Sequence, residues 1–426
     1  MKDLLFLSHR IPYPPNKGDK IRSFHWLKAL GQRYRVHLGT FVDDPADLVH
    51  ESALAEYCEE LCVRRLDPRM ARFRSSRALL SGKPLSFAYY RDRGLRRWVK
   101  RIMAERSIDT VLVFSSPMAT YIDRNLSCRR VIDFVDVDSE KWREYAATRR
   151  GPAHWLFARE ARTLLAAERA LSREFDASLF VSEAEKALFD ERAPDSRART
   201  RAVGNGVDTD YFDPGLDYAN PYPAGSAPQL VFTGVMDYAP NVEAVQWFVA
   251  EVLPRVREQQ PGASFWIVGT RPTRDVLALA RVDGVQVTGS VPDVRPYLRH
   301  ADIGVAPMRI ARGVQNKVLE ALAMGCPVAL TDAAATGLRV MDDDYAGVAD
   351  TAAGLADQIL RLTRVRAERE GHESFARARA YTTAHYGWAS QFERLLETLE
   401  DRSTTGAGHV GGAPAAQEAF ACARHS

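Results

Sequence analysis

The sequence has no apolar run approaching the ~18 residues needed to cross a bilayer, and its opening, MKDLLFLSHRIPYPP, turns polar at Ser8, His9 and Arg10 after only Leu4 to Leu7. That reading excludes a membrane span and a signal-peptide core, and leaves open a chain that lies against a membrane. Cysteine is scarce and scattered. Cys58, Cys62, Cys128, Cys326 and Cys422 are odd in number, form no C-x-x-C pair and have no histidine at ligand spacing. A disulfide framework and a cysteine zinc site are thereby excluded, and a reducing cytoplasm is the expected setting. The net charge is only +3 over 426 residues, so the overall balance gives no support to nucleic-acid binding. No fixed-period repeat is visible.

What is present is enough apolar material for two cores. With 46% hydrophobic and 27% charged residues, the chain suits two domains of roughly 200 residues each. Leu4 to Ser8 reads as a buried strand, followed by a loop with Asn16-Lys17-Gly18-Asp19-Lys20 and a helix with Ile21, Phe24, Leu27 and Leu30 at helical spacing. Further strands are expected at Arg35 to Phe41, Thr110 to Phe114, Arg130 to Val135 and Ala177 to Val181, with helical stretches between them. After residue 226 a second alternation begins. It has strands at Leu230 to Thr233, Ser264 to Val268, Val285 to Thr288, Ile303 to Ala306 and Pro327 to Leu330, and helices near Val242 to Gln259, Arg295 to His300 and Asn316 to Met324. The expectation is α/β, two doubly wound parallel sheets facing a cleft. The expected division is an N-terminal domain over 1–204, a Gly/Pro/Asn/Asp-rich connection over 205–226 and a C-terminal domain over 227–380. A helix over 381–400 would pack back on the N-terminal domain, and 401–426 would form a disordered tail.

The strongest local signal is RGVQNKVLEALAMGCPV, Arg312 to Val328. It resembles the nucleotide-sugar motif of family 4 glycosyltransferases. Val203-Gly204-Asn205-Gly206-Val207-Asp208 through Phe212 is similar to that family's interdomain signature, and Phe232-Thr233-Gly234 to its first C-domain strand and loop. Residues 8 to 30 and Asp133 to Trp142 look like the sugar transferases associated with bacterial exosortase and exopolysaccharide systems. The resemblance implies the GT-B fold, two Rossmann-like domains, a nucleoside-diphosphate-sugar donor and retention at the anomeric carbon. It implies no cofactor beyond that co-substrate, and a glycan or lipid-linked acceptor.

Physically, a helix start after a glycine turn offers free N–H groups and a positive dipole end to a diphosphate, a role for Gly313, Asn316 and Lys317. Glu320, which the resemblance makes a ribose ligand, stands otherwise as a solvated or capping residue. Arg312 occupies the place, eight residues before Glu320, of the family's first glutamate. The loop Gly234 to Asn241 lacks the cations the family carries there. Lys317, with Arg312 or Arg309, is expected to compensate by neutralising the leaving diphosphate; the alternative is that all three are surface cations.

Lys17, Gly18 and Asp19 lie in the first strand-to-helix loop, which the resemblance places near the diphosphate and the acceptor: Gly18 lets backbone approach the donor phosphate, and Lys17 and Asp19 stand on the acceptor side; a plain turn is the alternative. Asp136 and Asp138, two apart at a strand end, face one side and are the best carboxylates to orient an acceptor hydroxyl, with Asp138 equally placed to cap a helix. In a retaining enzyme the donor phosphate itself can take the acceptor proton. His9 and His25 lie near the same loop. Metal dependence is not expected, because the Asp136-Val137-Asp138 pattern sits in the acceptor half and Asp342-Asp343-Asp344 follows the motif. Between Arg64 and Arg106 stand fourteen lysines and arginines against three acids, interleaved with Phe73, Phe87, Tyr89, Tyr90 and Trp98. That strip suits anionic lipid headgroups on the inner face of the membrane or the pyrophosphate of a lipid-linked acceptor, or else a solvated helical face with its aromatics in the core; nucleic-acid binding is a weaker third reading, since no recognised module accompanies the charge. Two functions remain: a metal-independent transferase, and a non-catalytic sugar-nucleotide sensor or assembly subunit. A nucleotide-sugar epimerase or hydrolase is a related enzyme reading.

Overall fold

The structure is a computed structural model that describes residues 1–15, 18–80, 82–124, 126–224, 228–311, 314–338, 341, 343–368 and 372–401. The first half is a seven-stranded sheet: β1 (Lys2–Ser8), β2 (Tyr34–Val42), β3 (Glu60–Arg65), β4 (Ile108–Phe114), β5 (Arg129–Val135), β6 (Ala177–Phe180) and β7 (Thr200–Ala202). Its order is β3-β2-β1-β4-β5-β6-β7, with every pairing parallel. The second half is six-stranded: β8 (Gln229–Thr233), β9 (Ser264–Val268), β10 (Val285–Gly289), β11 (Ile303–Ala306), β12 (Val328–Leu330) and β13 (Ala346–Val348). They are ordered β10-β9-β8-β11-β12-β13, again all parallel.

The helices that matter here are α1 (Gly18–Leu30), α2 (Pro68–Arg77), α3 (Asp138–Ala147), α4 (Gly151–Glu174), α5 (Ala239–Trp247), α6 (Asn316–Ala323), α7 (His372–Tyr386) and α8 (Trp388–Glu400).

A parallel sheet covered on both faces needs continuous apolar strands, and Leu4 to Leu7 are fully buried. Alternation sends Leu4 and Phe6 to one core with Trp26, Leu27 and Leu395, and Leu5 and Leu7 to the other with Val99, Phe134 and Phe180. Three strands found here were not expected from the sequence: β3, β7 and β13. Each closes or nearly closes a sheet edge, and β7 and β13 are only three residues long, so they carry too little apolar periodicity to be seen locally. The helix expected over Val242 to Gln259 begins at Ala239 and passes through a π turn at Phe248–Val252 before resuming at Leu253–Gln259. Pro254 lacks an N–H and crowds the preceding turn, and the wider turn accommodates it.

The chain crosses between the halves twice, and the two crossings are zipped together. The Val207 N–H donates to Tyr386 O at 2.7 Å, Val207 bridges Gly387, and the Gly204 N–H donates to Gln391 Oε1 at 3.0 Å. The sequence reading joined Tyr381 to Leu399 as one returning helical segment. In the structure Tyr381 packs on the core of the second half at the end of α7, and the return begins at α8 beyond Gly387. From there Phe392, Leu395 and Leu399 join the first-half core.

Candidate functional site

The strand order of the first sheet reverses between β1 and β4, and a cleft of about 690 Å³ opens at their carboxyl ends. His9, Gly18, Asp19, Ser115, Val135, Asp136, Asp138 and Lys141 line it from the first half, and Ala311, Val314 and Thr336 from the second. Gly18, Asp19, Asp136 and Asp138 are thus brought together in one lining. Lys17 lies outside the described residues.

At the end of β1, His9 stacks parallel to Phe114, centroids 5.8 Å apart, and meets Tyr90 edge-on at 5.6 Å. Its Nε2 lies 3.5 Å from Asp19 Oδ2. Arg10 donates from Nη1 to the same oxygen at 2.6 Å and grips Asp43 through Nε and Nη2. Burial opposes ionisation of Asp19, but the His9 hydrogen bond and the Arg10 charge outweigh it and hold the carboxyl far below the usual range.

Asp136 and Asp138 share one cation. Lys141 Nζ donates to Asp136 Oδ2 at 2.6 Å and to Asp138 Oδ1 at 3.2 Å. Burial works against the ammonium, and the two carboxylates more than reverse it, raising Lys141 above the ordinary lysine range. Lys141 therefore occupies the point between the carboxylates where a cation would bind. Sequence reasoning passed it over, although its spacing from Asp138 puts both on one helix face. Asp138 is the first residue of α3 and makes no side-chain cap; Val137 holds the cap position.

The loop carrying these carboxylates is held by force of geometry. Val135 has φ 69° and Ser115 φ 77°, left-handed values that cost about 1–3 kcal/mol each for such residues. A three-residue turn centred on Val135 closes with the Asp136 N–H donating to Phe134 O at 2.9 Å. Two glutamates then take the next amides: Glu185 accepts from the Val137 N–H at 2.8 Å, and Glu168 from the Ser139 N–H and Oγ–H at 3.2 and 2.5 Å. Burial pushes the Glu168 carboxyl up to about 8. Strained backbone gathered at the lip of a cleft marks a site at which position matters more than local stability.

Of the residues expected to hold the donor, Gly18 lines this cavity from the first half, whereas Gly234, Arg309, Asn316, Lys317 and Glu320 lie on the second half, outside its lining. The β8 and β9 ends touch backbone to backbone: a Cβ on Gly269 would fall 1.6 Å from Gly234 O. Lys317 donates to Asn241 Oδ1 at 2.7 Å and sits 4.4 Å from the Phe232 ring centroid. Asn241 Nδ2 in turn donates to Val235 O at 2.9 Å, tying the loop after β8 to α6. Burial pushes Lys317 down to about 8 and Glu320 up to about 7, each only partly offset by the other's charge. Asn316 is exposed at the first turn of α6, and Arg309 is exposed, 3.8 Å from Glu243. Arg312 and Gly313 lie outside the described residues. Gly269 and Asn241, which sequence reasoning missed, bear no motif; only their neighbours across the sheet give them a role.

Part of the basic strip is consumed internally. Arg64 pairs with Asp92, Arg101 and Arg106 with Glu60, and Arg96 donates to Thr120 O. Tyr89, Tyr90 and Trp98 pack on the core. His25 stacks on Trp388 at 4.2 Å beside the crossing, and burial pushes it down to about 4. No helix of the described residues is long and apolar enough to cross a membrane.

Residues 227–364 match the family described as Glycosyl transferases group 1. No curated protein matches the chain. Among solved structures, Anabaena HepE in complex with UDP is 14% identical with a TM-score of 0.60, over 94% of this chain and 99% of that one. Sucrose-phosphate synthase from Thermosynechococcus elongatus is 17% identical with a TM-score of 0.60, over 93% and 98%. WaaG, a glycosyltransferase involved in lipopolysaccharide biosynthesis, is 17% identical with a TM-score of 0.57, over 93% and 99%. At these identities the likeness is one of fold, and the fold is GT-B.

Proposed function

We propose that the chain is a retaining, metal-independent glycosyltransferase that moves a sugar from a nucleoside-diphosphate sugar to a glycan or lipid-linked acceptor in exopolysaccharide biosynthesis. The observation that carries this reading is the pairing of two walls. The segment matching the group 1 glycosyltransferases includes α6 with Lys317 and Glu320, and the opposite half presents Asp136, Asp138 and Lys141 at a strained cleft.

The first turn of α6 and Lys317 would receive the diphosphate. As the anomeric C–O bond breaks, negative charge grows on the leaving phosphate, and the helix dipole and ammonium stabilise it. Glu320 would accept hydrogen bonds from ribose hydroxyls, with Gly234 and Gly18 allowing close backbone approach. Asp136, held by Lys141, would orient the acceptor hydroxyl that attacks the anomeric carbon. Arg309, Arg312, Gly313 and Asn316 complete the proposed donor side, and Lys17, Asp19 and Asp138 the acceptor side. The complex of HepE with UDP makes uridine diphosphate sugars the first donors to try.

The test is a thermal-shift screen against nucleoside diphosphates and nucleotide sugars, with and without magnesium, on the wild type, Glu320→Ala and Lys317→Ala. One donor class should stabilise the wild type without magnesium, and both variants should lose the shift. No shift with any nucleotide overturns the donor site. A shift without turnover on any acceptor leaves the sugar-nucleotide sensor.

A further inference from the structure

We propose that the tip of the α3–α4 hairpin, together with the outward face of α2, is a docking surface for an anionic lipid bilayer. It rests on the transferase reading for its purpose, delivery of a lipid-linked acceptor, and on surface chemistry for its existence.

Residues 147–155, which run from the last residue of α3 through the turn into the first residues of α4, are all exposed, and they include Arg149 and Arg150. Within one helical turn of that tip, Tyr145 is 56% and Trp155 60% exposed. Helix α2 repeats the pattern. Met70 and Phe73 are 54% and 57% exposed, flanked by exposed Arg69, Arg72 and Arg77, and the Arg77 guanidinium lies 5.1 Å from the Phe73 ring centroid. No acid occurs in α2. The two patches are fastened to each other one turn beyond Trp155. Arg159 donates to Ala78 O at 2.7 Å and Lys83 O at 3.1 Å, and Glu160 accepts from the Leu85 and Ser86 N–H groups at 2.8 and 3.1 Å.

Large aromatics left in water beside arginines are poorly explained by the fold itself. Water favours burying such rings, and yet these stay out while their neighbours on the same helices pack inward. A ring with a polar edge beside a guanidinium suits the headgroup layer, where the ring meets acyl chain and the cation meets phosphate. With arginines on both elements and no acid in α2, the charge of the patch complements an anionic surface. The same helix α3 roots in the cleft, where Asp138, Lys141 and Glu144 line the wall. A bilayer against the tip would therefore stand beside the acceptor entrance.

Vesicle flotation of the full chain tests this without donor or acceptor. Wild type should partition into phosphatidylcholine–phosphatidylglycerol vesicles and fall off at high salt. Removing one of Arg72, Arg77 or Arg150 as glutamine should weaken partition by roughly fivefold, and Trp155→Ser with Phe73→Ser by at least about tenfold. Unchanged melting of each variant checks that exposed positions were altered without unfolding. Equal affinity for pure phosphatidylcholine, no binding to either vesicle, or undiminished binding by the double serine variant each overturns the proposal. None of these results touches the nucleotide thermal shift, so the two readings fail separately.

Discussion

Arg22 and Asp133 form a fully buried ion pair, Arg22 Nε donating to Asp133 Oδ2 at 2.8 Å and Nη2 to Oδ1 at 3.2 Å. The guanidinium also donates to Gly204 O at 2.9 Å and Asn205 Oδ1 at 3.1 Å, and Trp26 Nε1 donates to the same carboxylate at 3.1 Å. One side chain of α1 thus binds the end of β5, which carries the strained cleft loop, to the start of the interdomain crossing. Removing either partner leaves an unpaired buried charge. Arg22→Met or Asp133→Leu should each cost about 3–5 kcal/mol in denaturant unfolding, and the double variant less than their sum. Additive losses would show that the two charges do not act as a pair.

Glu168 gives the protein a pH-dependent term of known sign. Its carboxyl is raised from 4.5 to about 8 by burial, so between these values the native state keeps a proton that the unfolded chain has released. Stability from this group is full below about 4.5 and is lost as pH rises through 8. Glu168→Gln keeps the shape without the titration. The unfolding free energy of Glu168→Gln should gain on wild type progressively from pH 5 to 9, by on the order of 5 kcal/mol at most. A constant offset would rule the titration out.

Lys317, pushed down to about 8, should set a basic limb on the proposed reaction. With the ammonium as the required form, kcat/KM for the donor falls above pH 8, because free-enzyme groups govern that ratio. Lys317→Arg, always charged, should move the limb upward even if its maximum is lower. Lys317→Ala should lose about 100-fold in turnover with melting little changed. An identical limb in the arginine variant would assign it to another group.

Lys141→Ala should separate acceptor from donor. With the ammonium gone, Asp136 and Asp138 repel each other and leave the geometry they hold at 2.6 and 3.2 Å from Nζ. Turnover should fall about 100-fold, while nucleotide-induced stabilisation stays at the wild-type value. A lost nucleotide shift would place Lys141 on the donor side.

Gly269→Ala should be among the most damaging small substitutions in the second half. Its new Cβ would lie 1.6 Å from Gly234 O and 2.8 Å from Gly234 C, backbone atoms that move only if β8 and β9 part. A cost of about 3 kcal/mol or more in chemical denaturation, and loss of the nucleotide shift, is expected. Gly18→Ala, with nothing within 4 Å of its Cβ, is the control that should leave melting unchanged.

The sequence by itself determined what depends on neighbours along the chain: the apolar strands such as Leu4 to Leu7, the start of α6 at Asn316, the alternation that yields two parallel sheets, and the placing of Asp136 and Asp138 at one strand end. Each is set by periodicity or backbone preference over a few residues. It also offered Ile21, Phe24, Leu27 and Leu30 as the inward face of α1. Leu27 and Leu30 are buried there, but so are Lys20, Arg22, Ser23 and Trp26, while Ile21 and Phe24 stay partly exposed. A charge turns inward only when its partner waits in the fold, and Asp47 and Asp133 lie 27 and 111 residues away in sequence. Tertiary structure alone decided those pairs, the contact of Gly269 with Gly234, and the pairing of part of the basic strip with Glu60 and Asp92. It also decided which aromatics remained outside, Tyr145 and Trp155 near the α3–α4 turn and Phe73 on α2. Such relationships come from where distant segments meet, and no local pattern encodes the distance between them.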